Sequence, residues 1–537
     1  MNNAPITSMC WDFEVLTDRV RPGTQTPRKG RAWRGLNIAI PLVLGLAWLG
    51  VVLTHLPLPY PSDQLNYLNT AQIFPRGFTS GDAPWQVTRY GLVIPARVSL
   101  WLFGYSEAGY HLTPILFTGI TLAGTYALGT LLYSRWVGAA AALVLVSTAP
   151  MMEDAAALMP DMAAAGLFTV ATALAVAVRQ DRLPARWWVY VLIGVVLGWS
   201  YEVREFVIFG WPLIPIVLWR RIRWRGLAWV AAAMAAVGCV ELLLGWFLYR
   251  DPLARVHGIM VQAPNPNAGY SGRSRLAYLI QLPLALADDP GGAWRVALLF
   301  LVPLGPVIAW RARFARYGTA VPLIWCLWFW VPMTLEGGLL KPDDPALRLE
   351  LVRYWYPLFP GFVLGGLGAL WLAAWYAAKR WDRTRAVLTA AVVVVVGAGA
   401  TAAAVAGNWR APTITAAANG RAQMSAFRTW MQANQARYQE ATLWTDSRSD
   451  SVVAVYRQSP FGRTLWHTPL RSLSTTGPAP RRGDLVLLFD AGPEPLHACD
   501  VCRRAAREGL GGGTPPASWR PVFTTQGGLV SVYRVTR

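Results

Sequence analysis

The chain has 537 residues, 54% of them hydrophobic and only 15% charged, with 28 tryptophans. A soluble domain carries about 25% charge, and apolar runs of about 20 residues recur here. This excludes a disordered, collagenous or disulfide-scaffold protein and argues against a purely soluble enzyme. The net charge of +20 would suggest nucleic acid, but the arginines concentrate in short clusters between apolar runs, such as Arg220-Arg221-Ile222-Arg223-Trp224-Arg225. That is the pattern of cytoplasmic loops of a membrane protein, so no nucleic-acid partner is expected.

In chain order, residues 1–35 form a polar tail ending in Arg28, Lys29, Arg31 and Arg34. The first apolar run, 36–56, is too long for the core of a cleavable signal and reads as a retained span with its N-terminus in the cytoplasm. Further spans are expected at 110–133, 137–150, 162–178, 187–200, 206–219, 227–249, 294–310, 319–335, 355–377 and 387–406, eleven in all. The loops this places inside hold Arg135; Arg179, Arg182 and Arg186; the 220–225 run; Arg311, Arg313 and Arg316; and the basic 379–385 run. Every one carries arginine, as the positive-inside bias requires. The stretch 92–105 is apolar but carries Arg97. Counted as a span it would reverse every later loop, so it is expected to be an interfacial or re-entrant helix on the outer side.

The outer side then holds the first loop, 57–109, a short loop at 151–161, a long loop at 250–293 and the tail 408–537. In the tail, residues 424–440 read as a helix, and 441–445, 452–456, 484–489 and 529–535 read as strands separated by turns rich in Gly and Pro. The expected fold is an α-helical polytopic membrane protein of about eleven spans with a C-terminal extracytoplasmic α/β domain. Its parts are a cytoplasmic tail (1–35), a transmembrane domain (36–407) and a soluble domain (408–537).

Several outer-face clusters could carry chemistry. Pro59-Tyr60-Pro61-Ser62-Asp63-Gln64-Leu65-Asn66-Tyr67-Leu68 follows the first span. Ser62 can cap a helix there, and Asp63 either favours that helix start through the dipole or does chemistry. Glu153, Asp154 and Asp161 crowd the mouth between two spans, which suggests a cavity or a solvated turn. Arg89, Arg204 and Arg353 bring arginine to the face where the charge bias makes it less expected. Such arginines grip phosphate or carboxylate or snorkel to headgroups.

The order of these pieces resembles the GT-C membrane glycosyltransferases. The acid after the first span is followed by Arg89-Tyr90-Gly91-Leu92, then by Trp101-Leu102-Phe103-Gly104-Tyr105-Ser106-Glu107-Ala108. Asp161 comes next, and later Arg353-Tyr354-Trp355-Tyr356-Pro357-Leu358-Phe359-Pro360. The likeness is to the protein O-mannosyltransferase and lipid A aminoarabinose transferase group, glycosyltransferase families 39 and 83, over roughly residues 36–380. It implies a polyprenyl-phosphate sugar donor used outside the membrane, Asp63 as general base, and Asp161 in the donor and acceptor pocket. Arg89 falls where relatives carry a phosphate-contacting Lys within Gly-Lys-Pro-Pro; the charge is kept and the Pro pair is lost. Tyr67, Glu153, Asp154, Arg204 and Arg353 are expected to bind substrate.

The residues suit that chemistry. An acceptor hydroxyl needs a base. A lipid phosphate already leaves well, and arginine can stabilise the charge it develops, so a second, acidic carboxyl of the glycosidase kind is not required and inversion is expected. The acceptor is a hydroxyl-bearing lipid, polysaccharide or protein, and membrane lipids are the other partners. No cofactor is expected; the five histidines do not cluster, and a divalent metal is left open. Cys239 and Cys326 read as inert core residues, and Cys499 with Cys502 as a local disulfide. The Gly509-Leu510-Gly511-Gly512-Gly513 run lacks the Lys-Ser/Thr of a phosphate loop. A transporter or lipid flippase is the competing expectation, but the paired broken helices of such proteins are not evident.

Overall fold

The computed structural model describes residues 31–54, 56, 58–59, 61, 63–77, 85–219, 224–262, 270–288, 292–312, 316–380, 387, 420–447, 449–459, 463–489, 500–525 and 528–537. Its first part is helical. Helices α1 (Arg31–Thr54), α2 (Gln64–Ile73), α3 (Tyr90–Phe103), α4 (Glu107–Leu132), α5 (Arg135–Val146), α6 (Ala149–Asp154), α7 (Pro160–Arg179) and α8 (Trp187–Val203) follow in chain order, and from α3 on the connections are short. After a 3-10 turn, Glu205–Gly210, come α9 (Leu213–Leu218), α10 (Trp224–Tyr249), α11 (Ala254–Gln262), α12 (Arg275–Leu279), α13 (Gln281–Ala287), α14 (Gly292–Leu301), α15 (Leu304–Arg311) and α16 (Arg316–Thr334). A second 3-10 turn, Val352–Leu358, leads into α17 (Phe359–Arg380).

Five of these segments are long and apolar enough to cross a membrane: Glu107–Leu132, Pro160–Arg179, Trp224–Tyr249, Gly318–Leu339 and Val352–Arg380. The pair α14 and α15, bent by 42°, makes a sixth if it is one span. Only 11% of the apolar window of α10 is buried, and Leu243, Trp246 and Phe247 point outward. Such a helix requires an apolar solvent. Inside the bundle, α4 and α7 approach closely because Gly166 has no side chain: a Cβ there would lie 2.4 Å from Thr121 Oγ1. The same Thr121 hydroxyl donates to the Met162 carbonyl at 3.0 Å, a small-residue contact of the kind that binds membrane helices together.

The expected count of eleven spans is not established among the described residues, where the expected segments take unequal forms. Span 206–219 is broken into the 3-10 turn and α9, with Pro212 at the break, where its missing N–H and fixed φ oppose a continuous helix. Spans 137–150 and 187–200 are the shorter helices α5 and α8. Span 387–406 lies outside the described residues apart from Val387. The stretch 92–105 is a 14-residue helix, α3, too short to span alone by the length a bilayer requires. It is tied to α2 by Arg97 Nη1 donating to the Gln72 carbonyl at 2.8 Å.

The C-terminal part comprises α18 (Gly420–Asn434), β1 (Leu443–Thr445), α19 (Ser449–Tyr456), β2 (Leu470–Ser472), β3 (Leu485–Phe489), α20 (Asp500–Gly509), β4 (Trp519–Thr524) and β5 (Val530–Val535). The sheet order is β2-β1-β3-β5-β4. Strand β1 is parallel to β2 and β3, and β5 is antiparallel to β3 and β4. The expected α/β architecture is present, with one correction: 452–456 is helix, not strand. Val452, Val453 and Val455 are β-branched, but all three are fully buried, so burial around the helix overrides their strand preference. Asp446 starts that helix by accepting the Ser449 N–H at 2.9 Å. Past Gly509, the last residue of α20, the Gly-rich run continues as turn over 510–513, with Gly511 and Gly512 at φ +67 and +84. Among the cysteines, Cys326 is buried as expected, whereas Cys239 is exposed on α10. Its place in an apolar run reflected a lipid-facing helix rather than a core. Cys499 lies outside the described residues, so the 499–502 pairing does too.

Candidate active site

The chemistry-bearing residues converge at one end of the helical bundle. Asp63 stands at the N-cap position of α2, with no side-chain capping hydrogen bond. Its carboxylate instead accepts from Arg353 Nη2 at 3.0 Å. The expected cap, Ser62, lies outside the described residues. Arg353 comes from the 3-10 turn before α17. That turn is pinned by Trp355 Nε1, which donates to the Leu349 carbonyl at 3.0 Å. Asp63 is 47% exposed and Arg353 28%, so this pair lies open to substrate. Arg353 Nε is buried and bonds to no protein atom. The guanidinium also feels the charges of Asp161 and Asp154.

Asp154, at the end of α6, accepts from the Tyr356 hydroxyl at 2.9 Å, and Glu153 beside it is exposed. Asp161, in the first turn of α7, is buried against Arg204, with Oδ1 3.1 Å from Nε. Arg204 sits where α8 ends and is held by two rings, its guanidinium carbon 4.7 Å from the Phe206 centroid and 4.8 Å from that of Tyr354. These rings also stack on each other. The Asp161–Arg204 pair is closed from solvent, unlike Asp63–Arg353.

Arg89 is 1% exposed. Its Nη2 bonds Glu205 at 2.8 Å, and Nη1 donates to the Tyr67 hydroxyl. Both Arg89 and Tyr67 are thus engaged inside the protein. Burial pushes the Tyr67 phenol up to about 12, against the opposing pull of the Arg89 and Arg204 charges. The approach of α3 to α8 that sets this network depends on Gly91: a Cβ there would lie 2.8 Å from Val203 N and 2.9 Å from the Glu202 carbonyl carbon.

Behind Glu205 lies a group that sequence reasoning missed. Arg255 of α11 reaches Glu205 at 3.1 Å, Glu241 at 3.4 Å and Glu202 at 3.5 Å, and donates to the Tyr201 carbonyl at 2.7 Å. Glu241 had a signal, since an acid inside an apolar run is a functional candidate by default. Arg255 had none beyond being an arginine in the long outer loop. Of the expected residues, Asp63, Arg353, Tyr67, Arg89, Asp161, Arg204 and Asp154 are drawn into one electrostatic neighbourhood. Among the described residues, no group of three or more His, Cys, Asp or Glu is arranged to hold a metal ion.

No family model and no curated protein sequence matches the chain. Solved structures do. ArnT from Cupriavidus metallidurans in the apo state superposes with a TM-score of 0.52 at 15% identity, covering 94% of this chain and 97% of that one. The same protein bound to undecaprenyl phosphate gives 0.50 at 14%, covering 94% and 98%. An oligosaccharyltransferase from Archaeoglobus fulgidus gives 0.46 at 14%, covering 80% and 62%. The chain thus shares the fold of ArnT along nearly its whole length.

Proposed function

We propose that the protein is a membrane glycosyltransferase that moves a sugar from a polyprenyl-phosphate donor to a hydroxyl acceptor, with inversion, on the extracytoplasmic face. The observation that carries this reading is the Asp63–Arg353 pair, a half-exposed carboxylate beside a guanidinium with an unspent donor. The fold supports it, as does the undecaprenyl phosphate bound to ArnT of the same fold.

Asp63 removes the proton from the acceptor hydroxyl as its oxygen attacks the anomeric carbon. The bond from that carbon to the phosphate oxygen breaks, and the lipid phosphate leaves with the electron pair and the new charge. Arg353 neutralises that charge. A partly exposed ion pair is worth about 0–1 kcal/mol, whereas phosphate accepts a charge-assisted, two-pronged bond from arginine. An arriving donor phosphate can therefore take Arg353 from Asp63 and leave the carboxylate free for the acceptor. Asp154, steadied by Tyr356, and the exposed Glu153 contact sugar or acceptor. Asp161 acts through Arg204, which stands under Tyr354 beside Arg353. Arg89, Tyr67 and Glu205 fix the facing wall.

The topology proposed with this reading has the N-terminus in the cytoplasm and residues 408–537 outside. The test is transfer of label from a polyprenyl-phosphate sugar to envelope acceptors by the purified protein. Transfer by wild type, absent in Asp63→Asn, supports the reading; no transfer with any lipid-phosphate sugar contradicts it.

A further inference from the structure

Helix α2, which begins just after Asp63, is claimed by two bodies. Tyr67, Leu68 and Ala71 are buried in the core of the helical bundle. Leu65 belongs instead to the core of the C-terminal domain, with Met424, Phe427 and Met431 of α18 and Val452 and Tyr456 of α19. Asn69, one helical turn beyond Leu65 and on the same face, accepts from the Ser451 hydroxyl. The Tyr456 hydroxyl donates to the Pro59 carbonyl at 2.5 Å, four residues before Asp63. Arg428 of α18 ion-pairs with Glu107, in the first turn of α4, and donates to the Gln458 carbonyl at 3.2 Å.

These contacts bracket Asp63 on both sides in sequence. A ten-residue helix is marginal by itself, and this one lacks a side-chain cap bond at its start. Its position is therefore set from outside, by the bundle on one face and the C-terminal domain on the other.

We infer that the C-terminal domain is a positioning element for the proposed base: Tyr456 and Ser451 hold the segment that carries Asp63 at its working place beside Arg353, and Arg428 fastens the domain to α4. The inference rests on the reading of Asp63 as base. These residues touch no reacting atom in this scheme: Ser451 acts through α2, Tyr456 through the segment just before it, and Arg428 through α4. Misplacing a reacting group by about 1 Å can cost about 10²-fold in rate, so loosening these tethers acts on kcat. Donor KM, set by the arginines, stays where it is.

The test uses the full chain with Tyr456→Phe and Ser451→Ala combined, which removes two polar tethers and keeps the packing. Arg428→Lys is a separate variant that retains the charge facing Glu107. Hydrogen exchange of α2 is measured alongside turnover. The expected result is faster exchange in residues 64–73 with unchanged exchange in 160–179, a kcat roughly tenfold lower, and a donor KM within about twofold. Arg428→Lys is expected to retain most of the wild-type kcat. Unchanged exchange in 64–73, or faster exchange with unchanged kcat, overturns the inference. A wild type that transfers no sugar while the variant's α2 still loosens would sink the glycosyltransferase reading and leave the anchoring of α2 standing.

Discussion

Asp63 and Arg353 lie 290 residues apart in the chain and 3.0 Å apart in the structure. One begins the helix after the first apolar run. The other sits in the 3-10 turn before α17. Their pair is the open member of two: Asp161 and Arg204, 3.1 Å apart, are nearly sealed from solvent. Exposure separates the roles, because an open pair can exchange partners with substrate and a sealed pair holds structure.

Arg353→Gln is expected to fold normally, since the pair it breaks contributes about 0–1 kcal/mol, but to bind donor weakly. Donor titration should show a KM raised by about 10-fold or more, the loss of one charge-assisted bond of about 1.5–3 kcal/mol. An unchanged KM would mean that the phosphate binds elsewhere.

Asp161→Asn is expected to behave in the opposite way. It takes the nearest carboxylate from buried Arg204 and leaves the charge of Glu205 to balance it, at a cost of up to about 3–5 kcal/mol. The readout is a lowered Tm and folded yield in detergent. Asp161→Asn combined with Arg204→Met should recover much of that loss, because neither member of the pair is then left as a buried charge lacking the other. A stable, inactive Asp161→Asn would instead make Asp161 a direct participant.

How far the sequence disclosed this site depends on the residue. Asp63, Asp161 and Arg353 announce themselves as charges at the ends of apolar runs, so the positions were legible. The pairings were not, because nothing local says that α2 and the turn before α17 meet. Arg89 was legible as a charge in the first outer loop, but its bonds to Glu205 and Tyr67 were not. In the tail, most of the helix and strand pattern was readable from alternation and turns. The valines at 452, 453 and 455 misled, because three β-branched residues dominate a helix of only eight residues, too short for its period to show. The short strands β2 and β4 were missed: the first has three residues, and the second contains Pro521.

Gly91→Ala should push α3 off α8, since its Cβ has backbone atoms at 2.8–2.9 Å. Overpacking of this kind costs about 1–3 kcal/mol. Both Tm and kcat should fall together, because Arg89 moves with α3 and the bond from Trp199 Nε1 of α8 to the Gly91 carbonyl is broken. A wild-type Tm would show that the two helices separate freely.

Tyr67 gives a pH signature. Its folded phenol titrates at about 12, above the ordinary value of about 10. The folded state holds this proton more tightly than the unfolded state. Its contribution to stability is thus complete below about pH 10 and is lost as pH rises through about 12. Tyr67→Phe should flatten the stability curve in that window and leave the neutral-pH dependence of transfer unshifted. A shift in the neutral limb would make Tyr67 a titrating catalytic group.

In the proposed reaction Asp63 takes the acceptor's proton, and the initial transfer rate of Asp63→Asn at saturating donor decides whether it does. The substitution is nearly isosteric, and no capping bond is lost. Donor binding should therefore persist while the rate falls by about 10² to 10⁴. A rate within about threefold of wild type is too small a loss for a general base and would contradict the account.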